Sequence, residues 1–164
     1  MNCAWFLEVL EASWRQLDEA IEGLDDAAMT EPGVTGAWSV KDLLGHVAAW
    51  EQLALRHIED WRAGAAPQGV WGPAVDSFNA AESERRREAP LAAVREELTG
   101  TRQRLRAALA GLTDSDWDAV VGEGEDAAPL SRWVGGSLGG ALGPGTHAAE
   151  HAHQILLWRL RRTG

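Results

Sequence analysis

Residues 38–61 read WSVKDLLGHVAAWEQLALRHIEDW, and the fold turns on this stretch. Ser39 stands just before an apolar run, with Asp42 three residues later. That spacing fits a capping box, with Asp in the usual place of Glu. Leu43, Val47, Trp50, Ala54, Ile58 and Trp61 then recur every three or four residues and form one helix face. Gly64 and Pro67 close it. A helix over 39–63 is roughly 37 Å long at about 1.5 Å per residue, the length of a bundle helix.

Outward from this helix the same period continues. Before it, Phe6, Leu10, Trp14, Leu17, Ile21 and Leu24 mark a first amphipathic helix. After it comes a GVWGP turn, a short helix over 74–88 and a break at Pro90. Leu91, Val94, Leu98, Leu105, Leu109 and Leu112 then keep close to the repeat of a packed bundle seam. Residues 122–145, GEGEDAAPLSRWVGGSLGGALGPG, match neither GxGxxG nor GxxxxGK[ST], so no phosphate cradle is expected. They read as a long connection with at most one short helical turn. A last helix runs from near Thr146 to about Arg162. Strand signals are nearly absent, and the chain has no tyrosine. The expectation is an all-α four-helix bundle with a short extra helix and a long Gly-rich connection before the last helix, in one domain spanning 1–164.

Composition excludes several classes. At 45% hydrophobic and 24% charged residues the chain resembles an ordinary globular protein. Cys3 is its one cysteine, so neither an internal disulfide nor a Cys-rich zinc knuckle can form. It sits where a helix end frays and reads as incidental, and a reducing cytoplasm is the expected compartment. The opening MNCAWFLEVLEASW lacks the basic region and apolar run of a secretory signal. No run of apolar residues suffices for a transmembrane helix, and no membrane partner is expected. The net charge of −10 repels phosphate backbones. The best basic run, ERRREAPLAAVREELTGTRQRLR, alternates arginine with glutamate and reads as a solvated face laced with i,i+4 pairs. Nucleic acid is therefore expected not to be a partner.

The chain has five histidines, and three fall within GPGTHAAEHAHQILLWRLRR: His147, His151 and His153. His147 and His151 lie about 40° apart and one turn along, so both rings reach one point beside the helix. This HxxxH pair is a known half-site for zinc and similar ions, and equally the spacing of two buried structural histidines. Ile155 and Trp158 continue the same line, which places the pair toward the interior. His153 points about 240° away and cannot join it. His46, on the flank of the 39–63 stripe, needs a partner if buried, either a metal or a backbone carbonyl. His57 is on nearly the same line but roughly 16 Å further along, too far to share an ion; it reads as a helix-face histidine. HAAEH also matches HxxEH of inverted zinc proteases, but Glu150 projects on the side of His147 away from His151.

WSVKDLLGHVAAWEQ followed much later by THAAEHAHQI resembles the DinB/YfiT-like superfamily of metal-binding four-helix bundles. The middle, VDSFNAAESERRREAPLAAVREEL, resembles its colibactin self-resistance branch. The resemblance implies an up-down-down-up bundle holding a divalent ion, zinc or nickel, on His46, His147 and His151. Three protein ligands leave open positions for water or substrate. Relatives include thiol-dependent transferases and isomerases and, in the resistance branch, a hydrolase of a reactive small molecule. The resemblance does not imply a polymerase or a DNA repair enzyme. In one respect the chain departs from the resistance branch: Ala148 and Ala149 stand where relatives often carry an aromatic hydroxyl or similar group.

The expected function is metal-dependent hydrolysis of a small molecule, in which water on the ion becomes a nucleophile near neutral pH. Asn79, with Trp50 or Trp71, is a candidate for the cavity wall. The alternatives are a small-thiol transferase, a non-catalytic metal-containing binding or resistance protein, or a bundle without metal. The resemblance also allows pairing of two copies through long helices.

Overall fold

The computed structural model describes residues 2–163. α1 (Cys3–Ile21) starts where the Asn2 side chain accepts from the Trp5 amide, and it buries Phe6, Leu10, Trp14 and Leu17. A short α2 (Asp26–Thr30) follows under an Asp25 cap. α3 (Val40–Arg62) carries the capping box read from the sequence: Ser39 accepts from the Asp42 amide, and Asp42 accepts from the Ser39 amide. Gly64, at φ 73°, turns the chain out of it. α4 (Ala74–Arg86) and α5 (Leu91–Ala110) complete the first two thirds.

Side-chain contacts fix the helix directions. Cys3 meets Leu109 and Asp18 meets Arg102, so α1 and α5 are antiparallel. Gln52 pairs with Glu97, Glu59 with Arg104, and Arg62 with the Ala108 carbonyl, so α3 and α5 run parallel. In α8 (His147–Thr163) the Ala149 amide donates to Ser13 Oγ, and Arg159 donates to the Ala20 carbonyl, so α8 parallels α1. The result is up-down-down-up. Two successive parallel helices cannot be joined by a tight turn, and α4 is the crossover that returns the chain: Asn79 lies opposite Trp50, and Arg87 opposite Lys41.

Between α5 and α8 the chain is more ordered than expected. It forms α6 (Asp114–Trp117), a two-residue antiparallel ladder of β1 (Val120–Val121) and β2 (Ala128–Pro129), and α7 (Leu130–Ser137). α8 starts level with the middle of α1, where Gly145 touches Phe6 and Val9. α7 packs along α3 beyond that point, and its last turn receives the His147 amide on the Leu138 carbonyl. Its glycines argue against a helix by propensity, yet a Cβ on Gly136 would lie 2.5 Å from the Trp71 ring. Close packing of Trp71 explains Gly136.

Two surface readings are corrected. Cys3 is buried because Asn2 starts the helix at once; its thiol donates to the Leu109 carbonyl, and burial pushes it up to about 11. Arg86 is also buried, in a slot opened by Gly45, and pairs with Glu82 on its own helix and with Glu97 on α5. The main core cluster draws chiefly on the four long helices and α7, and a smaller one gathers Val121, Ala128 and Trp133. A leucine-sized side chain in it contributes about 1.5–3 kcal/mol by burial.

Candidate metal centre

His46 sits in the second turn of α3; His147 opens α8, and His151 follows one turn later. The three rings converge across the interface between the two helices. His147 Nε2 lies 3.1 Å from His46 Nε2 and 3.1 Å from His151 Nε2. One ligand atom from each lies within 4.8 Å of the others. Trp38 packs at 5.2 Å from the His46 ring, and Trp50 at 6.2 Å from that of His147.

Desolvation decides the charge state here. Burial, aided by His151 and Arg86, pushes His46 down to about 3. Burial likewise holds His147 well below the ordinary histidine range, and lowers His151 against the opposing bond to Gln154. All three are neutral at pH 7, the form that ligates metals.

Proton counting then tests whether an ion fits. His151 Nδ1 lies 2.9 Å from Gln154 Oε1, an acceptor, so Nδ1 carries the proton and Nε2 presents its lone pair. Both 3.1 Å contacts meet at His147 Nε2, and one hydrogen serves one of them. If that hydrogen is on His46, the His147–His151 contact sets lone pair against lone pair; if it is on His147, a single N–H faces two acceptors. A cation between them removes the conflict. With bonds of about 2.0–2.1 Å, adjacent nitrogens are roughly 3.3 Å apart in a tetrahedral site and roughly 3.0 Å in an octahedral one, so the observed edge suits zinc and nickel alike. The three histidines could therefore hold a divalent ion.

The remaining candidates separate cleanly. Asn79 lines a small cavity with His46, and its Oδ1 accepts from Trp50 Nε1 at 3.0 Å. Trp71 lies elsewhere, 6.0 Å from Trp133, at the end of α3 that carries His57. His153 is exposed, as expected. Glu150 takes no part in the cluster; its carboxylate accepts from the Ala141 amide and ties down the glycine connection. His57 is buried rather than on an open face, 3.1 Å from Ser137 Oγ on α7. Gln154 was missed, although its i+3 spacing from His151 was a visible signal.

The model of the DinB superfamily matches residues 9–155. The chain belongs to the DinB superfamily. Solved structures with this DinB fold include DfsB, described as a sibling lethal factor precursor, at 13% identity and a TM-score of 0.77, with 99% of this chain and 97% of that one covered. Another is the colibactin self-resistance protein ClbS in complex with double-stranded DNA, at 12% identity and a TM-score of 0.76, with 96% and 95% covered. A mycothiol-dependent maleylpyruvate isomerase matches at 16% identity and a TM-score of 0.70, over 94% of this chain and 61% of its own. At such identities the likeness is one of fold. No curated protein matches the chain by sequence.

The ClbS complex corrects the expectation that nucleic acid is excluded as a partner. Whole-chain charge was the wrong quantity, because a phosphate backbone meets one face. In this DinB chain the groove between α1 and α5 is lined by Arg15, Arg95, Arg102 and Arg106 beside Glu11, Asp18, Glu19 and Glu22, with Arg102 paired to Asp18 and Arg106 to Glu11. Among the described residues no helix is long and apolar enough to cross a membrane.

Proposed function

We propose that this chain is a divalent-metal-dependent enzyme acting on a small molecule, most simply a hydrolase, with His46, His147 and His151 holding zinc or nickel. The observation that carries this reading is the convergence of three desolvated, neutral imidazole rings, His151 buried and His46 and His147 half-buried, with too few protons between them. When bound, a divalent ion supplies Lewis acidity: it lowers the pKa of a water or thiol that reaches it and polarises a carbonyl. The chain's own residues prepare that chemistry. Gln154 keeps the His151 proton on Nδ1, so that Nε2 stays available. Trp38 and Trp50 exclude water from the rings, and the low dielectric strengthens every charge interaction between them. The cavity beside His46 and Asn79 gives a substrate its approach.

The fold shared with a mycothiol-dependent isomerase supports a second reading, transfer of a small thiol to an electrophile at the same centre. Under either reading the chain acts as one domain in the cytoplasm, where its lone thiol stays reduced.

Elemental analysis of protein purified with zinc or nickel supplied is the first test, with one equivalent expected. Less than a tenth of an equivalent would sink both readings. Turnover of esters, epoxides and thiol acceptors, with and without added thiol, then separates hydrolysis from transfer. Duplex DNA belongs in the same ligand panel, since ClbS is described bound to it.

A further inference from the structure

The cavity that reaches His46 encloses about 10 Å³, room for one oxygen-sized atom. Trp38 and the start of α3 form part of its wall, and α4 forms the rest. Four charged side chains also border it, and each is already engaged. Lys41 donates to the carbonyls of Arg87 and Ala89, and Asp42 is spent in the α3 capping box. Arg86 and Glu82 pair with each other, at 2.6 Å.

Two neutral groups of α4 remain. Trp50 Nε1–H can only donate, so its bond to Asn79 Oδ1 fixes which way the carboxamide faces. The amide nitrogen therefore faces away from Trp50, on a side chain that lines the cavity. Ser83, one helical turn further along α4, adds a hydroxyl to the same wall. Neither the Asn79 amide nitrogen nor the Ser83 hydroxyl has a hydrogen-bond partner among the described residues.

We propose that Asn79 and Ser83 form a hydrogen-bonding ledge for a neutral acceptor oxygen, the carbonyl of an ester or amide, presented beside His46. The enclosed space admits that oxygen alone, and the rest of the molecule lies outside against Trp38. Neutral donors surrounded by satisfied charges favour an uncharged acceptor, because an anion would lose its hydration without gaining a counter-charge. The inference rests on the enzyme reading and narrows it to carbonyl substrates.

The test is a titration of zinc-loaded, 15N-labelled protein with N-methylacetamide, following the Asn79 side-chain NH2 signals. These are expected to shift downfield and saturate. Asn79→Asp keeps the acceptor for Trp50 but has no N–H to offer, and should weaken amide binding about three- to tenfold, the worth of one hydrogen bond. Ser83→Ala should weaken it less. Unmoved Asn79 signals, or equal amide affinity in Asn79→Asp, would overturn the ledge. If inorganic phosphate moved the same signals at lower concentration than the amide, the neutral substrate class would be wrong. Zinc-loaded protein that binds the amide yet hydrolyses no ester would overturn the hydrolase reading and leave the ledge standing. Ester hydrolysis with unmoved Asn79 signals would overturn the ledge alone.

Discussion

α3 supports two desolvated histidines, half-buried His46 and buried His57, eleven residues apart, and their surroundings differ in one respect. Both are stripped of water, which pushes His46 down to about 3 and His57 to about 4. Both pack against tryptophan rings. His57, however, meets a single hydroxyl: Ser137 Oγ donates to the Trp133 carbonyl, so His57 Nε2–H donates to Ser137, and Nδ1 is left buried without a partner. His46 meets two more imidazoles at hydrogen-bond distance from one another. Burial and a depressed pKa therefore do not distinguish a candidate metal site from a packed core histidine. Convergence of lone pairs does.

The largest effect should come from His147→Ala, which removes the nitrogen on which both contacts close. Zinc affinity measured by competition with a chromogenic chelator is expected to fall by more than about 100-fold, beyond the usual cost of losing an outer partner. His57→Ala should leave affinity within about threefold. If His57→Ala lost as much zinc as His147→Ala, convergence would not be the distinguishing property.

Next comes a pH effect confined to the other region. A histidine held below its ordinary value stays neutral in the folded chain while the unfolded chain takes up a proton. Its contribution is complete above about pH 6.5 and is lost as pH falls toward 4. Between pH 7 and pH 4, metal-free wild type should lose up to about 3 kcal/mol more unfolding free energy than His57→Phe, measured by urea denaturation. The difference between the two curves is the diagnostic quantity, because Glu51 acts in the opposite direction. Burial raises its carboxyl to about 7, so its contribution declines as pH rises. Parallel curves for the two proteins would mean that His57 is not desolvated in solution.

The same pair of regions explains what could be read in advance. His46 and the HxxxH pair lie in long periodic helices with explicit caps, where angular position follows from spacing alone. Their meeting depended on helix order, which spacing does not encode; the family pattern supplied it. His57 was placed correctly on its helix, but its burial depends on α7, hidden in a run where Gly135 and Gly136 argue against a helix. That penalty is offset by packing, since Gly136 lets Trp71 lie against the backbone. Arg86 was misread for a related reason. Its slot exists because Gly45, on a distant helix, lacks a side chain. Asn79 was named as a cavity residue from its segment alone, but the direction of its amide required Trp50 in three dimensions.

Outer support of the metal region gives a smaller effect. Gln154→Leu removes the acceptor that holds the His151 tautomer, and zinc affinity should fall about 10- to 100-fold while the fold persists. Unchanged affinity would mean that the ring is oriented by packing alone.

The smallest effect separates site convergence from the packing around it. Gly45→Ala places a methyl 2.8 Å from Arg86 Cδ, and Arg86 cannot swing away without breaking its pairs with Glu82 and Glu97. Overpacking of this kind costs about 1–3 kcal/mol, and the gain in helix propensity returns about 1 kcal/mol. A net loss of roughly 1 kcal/mol in urea unfolding is expected, with zinc affinity within about threefold of wild type. A gain in stability would show that the Arg86 slot has room to spare. A large loss of zinc would show that the position of His46 depends on that slot, and that the cluster is held by its surroundings as much as by its own three rings.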